Sequence, residues 1–253
     1  MVNEQINSWM FRVKREYVAL IFSLFLIILA AILLSTFNVY LFVGLAVLGL
    51  LIVRMQQARY MGNSVRVHSE QFPELFELFK NHTKKLGLKK ASLFINQDPT
   101  LNAYTIGFAT CSVVVTSALV EQLSLRELNF VLGHELGHFK AGHTRISTFV
   151  SPLGNDNWIS SLLFGFWQRK AELTADRCGL IVTKDIDAGI TSFIKMTIGA
   201  KLYKTLNISG YLQQVGNADK TSIKFGEILV DHPFTTNRIK NLLLFWRGCF
   251  YLR

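Results

Sequence analysis

Between Glu16 and Arg54 the chain runs for 37 residues without a single Asp, Glu, Lys, Arg or His. Nothing else in the sequence narrows the possible folds so far, because a soluble domain of ordinary composition spaces its charges much more closely. As one helix this run would extend roughly 55 Å, well past a hydrocarbon core of about 30 Å, so two crossings joined by a turn fit better. Tyr17 to Leu34, interrupted only by Ser23, is expected as the first transmembrane helix. Ser35, Thr36, Phe37 and Asn38 supply the turn, and Val39 to Val53 forms the second crossing. This second run would reach only about 22 Å, so it needs a thinned bilayer or a shallow hairpin.

Arg12, Lys14 and Arg15 precede the hairpin, and Arg54, Arg59 and Arg66 follow it. Positive charge stays on the cytoplasmic side, so both ends of the hairpin are expected there. The first run lacks the small-residue site of a cleaved signal peptide. The expected organisation is a cytoplasmic tail over 1–16, a transmembrane hairpin over 17–53, a juxtamembrane linker over 54–70 and a folded domain over 71–253. That places a multi-pass protein in the cell (inner) membrane, with its folded domain in the cytoplasm. The net charge of +10 comes from basic residues scattered singly or in pairs. No helix gathers them into a stripe, which argues for the lipid bilayer as partner and against nucleic acid. Cys111, Cys178 and Cys249 are odd in number and widely spaced, as reduced thiols are.

In the folded domain, Phe72, Leu75, Phe76, Phe79 and Leu86 recur at helical spacing, with Pro73 near the start and Gly87 past the end. Short β-rich runs follow at Ser92 to Asn96, Ala103 to Phe108 and Ser112 to Thr116, and predict a small antiparallel sheet. The fold class is therefore α+β: a mainly helical domain with a small sheet, behind a two-helix hairpin. His68 and His82 stand among charged residues and are expected to face solvent, and Cys178 to be buried as a small hydrophobe. Ile159 to Trp167 is too short to cross a bilayer. Core packing is the expectation there, with a wall of the active site or a contact with the lipid surface as alternatives. The aromatic C-terminal stretch is expected to pack on the domain.

The chemistry sits on a helix that opens at Ser124, where Ser-Leu-Arg-Glu places Glu127 as a capping-box partner. It continues through His134-Glu135-Leu-Gly-His138. Four residues apart on a helix, His134 and His138 project from one face about 5 to 6 Å apart and can converge on one metal ion. Glu135 beside them can take a proton from a water that the metal activates. Chance places this HExxH pattern in about half a per cent of chains of such composition.

A catalytic zinc of this type takes three protein ligands and keeps an open position. Two residues compete for the third place. His143 follows His138 by five, whereas the metzincin pattern needs a Gly at plus three and a His at plus six. Glu172 lies downstream in Arg169-Lys-Ala-Glu172-Leu-Thr-Ala-Asp176. One turn after it, Asp176 can accept the N–H of a ligand histidine, so one helix face offers both a ligand and the group that orients another. Glu172 is therefore expected as the third ligand to one Zn2+ per chain, and Asp176 behind a histidine.

These motifs, with Leu101-Asn102-Ala103-Tyr104, Asp231-His232-Pro233 and Arg238-Ile239, resemble the HtpX-like membrane zinc metallopeptidases, gluzincins that also include the CAAX prenyl endoproteases. The likeness covers roughly Ser64 to Leu244. It implies that Asn102, Ala103 and Tyr104 begin an edge strand on which extended substrate lies, and that His232 faces the metal and stabilises the oxyanion. HtpX carries two further spans between its metal motifs, which this chain lacks. The chain is also too short for the many spans of the prenyl endoproteases, so prenylated substrates do not follow. The function expected is a membrane-anchored zinc endopeptidase acting in quality control, with unfolded or membrane proteins as substrates. The alternative is a catalytically silent or latent membrane interaction module that holds zinc. Nothing in the sequence fixes the oligomeric state.

Overall fold

A computed structural model describes residues 5–33, 39–150, 158–216 and 233–251. In chain order the elements are α1 (Glu16–Leu33), α2 (Val39–Asn63), β1 (Val65–Arg66), α3 (Pro73–Leu86), β2 (Ala91–Asn96), β3 (Ala103–Ile106) and β4 (Cys111–Thr116). They continue with α4 (Ser117–Gln122), α5 (Leu125–Ala141), α6 (His143–Val150), α7 (Trp158–Thr183), α8 (Ile186–Ile198), α9 (Ala200–Tyr203), α10 (Ile208–Gly216) and α11 (Thr235–Trp246), which ends in a π turn at Arg247–Tyr251.

The sheet has the order β1-β2-β4-β3. It is mixed and not antiparallel throughout as its short strands predict: β2 runs parallel to β4, while β1 and β3 pair antiparallel to their neighbours. The reason lies in β4. Its sequence Cys-Ser-Val-Val-Val-Thr carries no charge, and all six residues are buried. Such a strand takes an interior position with neighbours on both sides, and this leaves β3 at the sheet's edge.

Helix α5 lies between two apolar layers. On one side Leu128, Leu132 and Leu136 meet Val113 and Val115 of β4, with Leu75, Phe79 and Leu86 of α3 completing the layer. On the other, Phe130 packs with Leu180 of α7, Phe193 and Ile194 of α8, and Ile239 and Leu242 of α11. Helix α3 starts at Pro73 and stops at Gly87, whose φ of +67° suits a residue without a side chain. Ser124 and Glu127 form the reciprocal capping box at the start of α5. Cys178 is fully buried, as expected.

The transmembrane hairpin expected over 17–53 is not found. Among the described residues no helix is long and apolar enough to cross a membrane. The multi-pass placement and the cytoplasmic side inferred from the hairpin lose their basis with it. Both apolar runs are helical but differently used. Helix α1 opens on the buried carboxylate of Glu16, and Ala19, Leu20 and Ile27 pack against Phe164, Trp167 and Ala171 of α7. Within the apolar stretch Ile159 to Trp167, Phe164 and Trp167 are thus buried, whereas Phe166 is exposed and Trp167 also lines the cavity beside His134. The outer face of α1, with Ile21, Phe22, Phe25 and Ile28, is exposed. Helix α2 continues beyond Val53 through Arg54, Gln56, Gln57 and Arg59. The buried Gln57 amide reaches the Thr110 carbonyl at 3.3 Å and Ser112 Oγ at 3.4 Å. The turn expected at 35–38 lies outside the described residues. Ahead of α1, Phe11 is completely buried and Ile6 packs beside it against the α3 and β4 layer.

His82 departs from its expected solvent exposure. It is 2% exposed, and its Nε2–H donates to the Asn129 carbonyl at 3.0 Å. Burial pushes its pKa down to about 4, an effect that the hydrogen bond to Asn129 offsets only in part. The unfolded chain therefore binds a proton near pH 6.5 that the fold refuses until about pH 4, and stability must fall as pH drops through that window. Unfolding in the presence of chelator should show His82→Gln losing about 2 kcal/mol less than wild type between pH 7 and pH 5. Equal losses in both proteins would contradict a buried neutral His82.

Candidate active site

Helices α5 and α7 meet through glycine. A Cβ placed on Gly133 would stand 2.5 Å from Val182 Cγ2 and 3.1 Å from Gly179 Cα. One on Gly137 would stand 2.7 Å from Cys178 Cβ. Each glycine precedes a histidine of the motif, about 100° away around the helix. The same approach that seats α7 on Gly133 and Gly137 therefore carries Glu172 to His134 and His138.

The three groups converge. His134 Nε2 and His138 Nε2 are 3.1 Å apart, and the Glu172 carboxylate lies 3.4 Å from His138 Nε2 and 3.6 Å from His134 Nε2. One donor atom from each lies within 4.8 Å of the others. Asp176 is 1% exposed, and His134 Nδ1–H donates to its Oδ1 at 2.8 Å, so the lone pair of Nε2 faces inward. A nitrogen lone pair, a second imidazole and a carboxylate converging in this way fit a cation, which satisfies all three at once.

Asp176 is itself held by Arg238 of α11, whose Nη2 donates to Oδ1 at 2.6 Å and Nε to Oδ2 at 2.9 Å. Burial would raise the Asp176 pKa, but Arg238 and His134 outweigh it and keep the carboxyl below its ordinary value. Burial also opposes charge on Arg238, yet Asp176 and then Glu172 raise its pKa. Glu135 is 5% exposed; Thr105 of β3 donates its hydroxyl to Glu135 Oε2 at 2.7 Å, and Oε1 lies 3.9 Å from His134 Nε2.

His143, the rival for third ligand, stands behind His138 instead. The two Nδ1 atoms are 3.0 Å apart, and His143 Nε2 faces Glu16 at 3.1 Å. Burial pushes the His143 pKa down to about 4, partly countered by Glu16. Asn102, Ala103 and Tyr104 line the same cavity of about 540 Å3 as His134, Glu135, His138 and Glu172. Tyr104 packs against Tyr60 of α2, with ring centres 5.4 Å apart. His232 lies outside the described residues. Sequence reasoning placed Thr105 in the edge strand without its contact to Glu135, missed Glu16 altogether, and left Arg238 in a motif without a partner. No spacing within one element signals any of the three, since each meets its partner across distant parts of the chain.

Residues 69–155 and 154–244 match the model of peptidase family M48, and the chain belongs to that family. The resemblance to HtpX-like metallopeptidases agrees with this. The chain is similar to the plastoglobule-localized metallopeptidase 48 of Arabidopsis thaliana, at 31% identity over 194 residues, covering 71% of this chain and 56% of that protein. It is also similar to the protease HtpX homolog of Streptococcus pyogenes serotype M5, at 29% identity over 107 residues, 42% of this chain and 36% of that protein. The chain thus spans about half or less of the length of these relatives.

The glycine contact sets a test. Gly137→Ala should cost about 1–3 kcal/mol through overpacking and weaken metal binding, because Cys178 Cβ cannot swing aside. Adding Cys178→Gly removes the colliding atom and should restore metal affinity, although a helix-interior glycine costs about 1 kcal/mol of its own. Thermal unfolding and metal titration of the single and double variants measure both effects. A Gly137→Ala protein with wild-type stability and affinity would show that the helices do not depend on this approach.

Proposed function

We propose that the chain is a zinc-dependent endopeptidase that hydrolyses peptide bonds of unfolded or misfolded proteins. The observation that carries this reading is the convergence of His134, His138 and Glu172 beside Glu135 in a cavity bordered by an edge strand. Zinc held by those three residues would supply Lewis acidity toward a water molecule and the scissile carbonyl. Glu135 takes the proton of the attacking water as its oxygen bonds to the carbonyl carbon, and passes it to the amine nitrogen as the C–N bond breaks. Thr105 occupies Oε2 of Glu135, which leaves Oε1, on the histidine side, for that transfer. Asp176 orients His134, and Arg238 keeps Asp176 ionised.

Substrate is held on β3. Thr116 N–H donates to the Asn102 carbonyl at 3.0 Å, and main-chain bonds alternate along an antiparallel pair. The main-chain groups of Ala103 and Thr105 therefore point away from β4, toward the open edge. An extended peptide adding there gains hydrogen bonds that ignore side-chain identity, as broad specificity toward unfolded chains requires.

Unfolded casein tests the chemistry. Cleavage should stop on chelation and return with zinc, while Glu135→Gln should keep one metal equivalent and lose at least about a hundredfold in rate. Cleavage that survives both treatments would remove this hydrolytic reading.

Ala103→Pro tests the strand. Proline removes the outward N–H while sparing every ladder bond and the Thr105 hydroxyl. The variant should retain metal and circular dichroism yet raise KM for casein severalfold. An unchanged KM would detach β3 from substrate binding.

A further inference from the structure

Metal site and N-terminus are joined by a buried chain of polar groups. Glu16, 1% exposed at the first turn of α1, meets His143 Nε2 at 3.1 Å. The same carboxylate accepts hydrogen bonds from the Arg12 guanidinium and the Thr174 hydroxyl. Thr174, on α7 between Glu172 and Asp176, accepts in turn from the Val13 N–H at 3.0 Å. Arg12 also donates to the Ala141 carbonyl at 2.6 Å, closing the C-terminal end of α5. His143 is 2% exposed, and its ring stands edge-on to Trp167.

Donor and acceptor rules assign every proton in this chain. A carboxylate only accepts, so His143 must place its N–H on Nε2, toward Glu16. Its Nδ1 then carries a lone pair, and the hydrogen bond at 3.0 Å requires His138 to donate from its own Nδ1. His138 is left with its Nε2 lone pair facing His134 Nε2 at 3.1 Å. The order is Glu16, His143, His138, with each group fixing the next. It parallels Asp176 and His134, but with an imidazole inserted between carboxylate and ligand.

We propose that Glu16, acting through His143, is the positioning device for His138, and that the first turn of α1 therefore supports the metal site. The proposal rests on the reading of His134, His138 and Glu172 as ligands. Without His143, the His138 ring is free to rotate or to place its proton on Nε2, and either change withdraws a ligand. Neither His143 nor Glu16 touches the metal position.

Three substitutions separate positioning from packing. Glutamine at 143 can still accept from His138 through its amide oxygen and donate to Glu16 through its NH2, whereas phenylalanine keeps the ring against Trp167 and can do neither. His143→Gln should hold zinc within about threefold of wild type in a chelator competition, and His143→Phe should bind 10- to 100-fold more weakly. Glu16→Gln combined with His143→Phe removes the carboxylate charge while the amide oxygen still accepts from Arg12 and Thr174, and should bind as weakly as His143→Phe alone. Cobalt-loaded protein supplies a second readout: its visible d–d bands should match wild type in His143→Gln and lose intensity in the other two. The reverse order, with phenylalanine binding better than glutamine, would mean packing alone and overturn the proposal, as would equal affinity and spectra in all the variants. Glu172→Ala keeps the two readings apart. If it binds metal as tightly as wild type, the ligand assignment itself fails; if it loses metal while the variants at 16 and 143 behave as wild type, only the positioning role falls.

Discussion

The close seating of α7 on α5 is the contact on which the rest of the site depends. Helices normally pack with axes 8–10 Å apart, held off by their side chains. Gly133, Gly137 and Gly179 remove those side chains where the two helices meet, and Val182, Cys178 and Ala175 fill the space. The rotation of α5 that turns its glycines toward α7 also fixes the direction of His134 and His138. Metal-ligand geometry tolerates errors of only a fraction of an ångström, so backbone contact positions Glu172 more firmly than long side chains could.

Bringing two histidines and a carboxylate together under burial raises a second problem, since each must point one way and keep one protonation pattern. The fold answers with carboxylates placed behind the histidines and cations placed behind the carboxylates. Asp176 stands behind His134 and is countered by Arg238; Glu16 stands behind His143 and is countered by Arg12. A buried carboxylate without such a partner would shed its charge by protonation, and its histidine would lose the acceptor that fixes its tautomer. The two cations arrive from opposite ends of the chain, ahead of α1 and on α11. The metal-binding motif thus draws on almost the whole chain for support, although its own residues occupy one helix and a half.

What could be read from the sequence follows from the range of each interaction. The HExxH helix, its capping box and the Glu172 to Asp176 spacing are all set within one or two helical turns, and the structure has them in place. Strand existence was legible at β2, β3 and β4, but pairing was not, because whether β2 meets β3 or β4 depends on which strand the domain buries most deeply. The 37-residue uncharged run misled for a related reason. Hydropathy records how poorly a segment suits water and leaves open what surrounds it instead. Glu16 at the border of the run looked like the end of a tail, and its significance appears only when His143 and Thr174 fold onto it. His82 was misjudged likewise, since its charged sequence neighbours say nothing about α5, which covers it.

Strand β3 joins the two halves of the proposed mechanism. Its outward main-chain groups at Ala103 and Thr105 offer hydrogen bonds to substrate, and the Thr105 side chain, which turns toward α5, holds one oxygen of Glu135. Alternation along a strand makes this possible, because main-chain and side-chain groups of one residue leave in perpendicular directions. A peptide adding to that edge would lie against the strand whose Thr105 holds the base. Positioning of the scissile bond and of the group that moves its proton then share one rigid element, anchored by β4 at the centre of the sheet. A shift of β3 would move the bound peptide and the Thr105 hydroxyl together. This is a mechanical reason for placing the support of Glu135 on the sheet and not on a neighbouring helix.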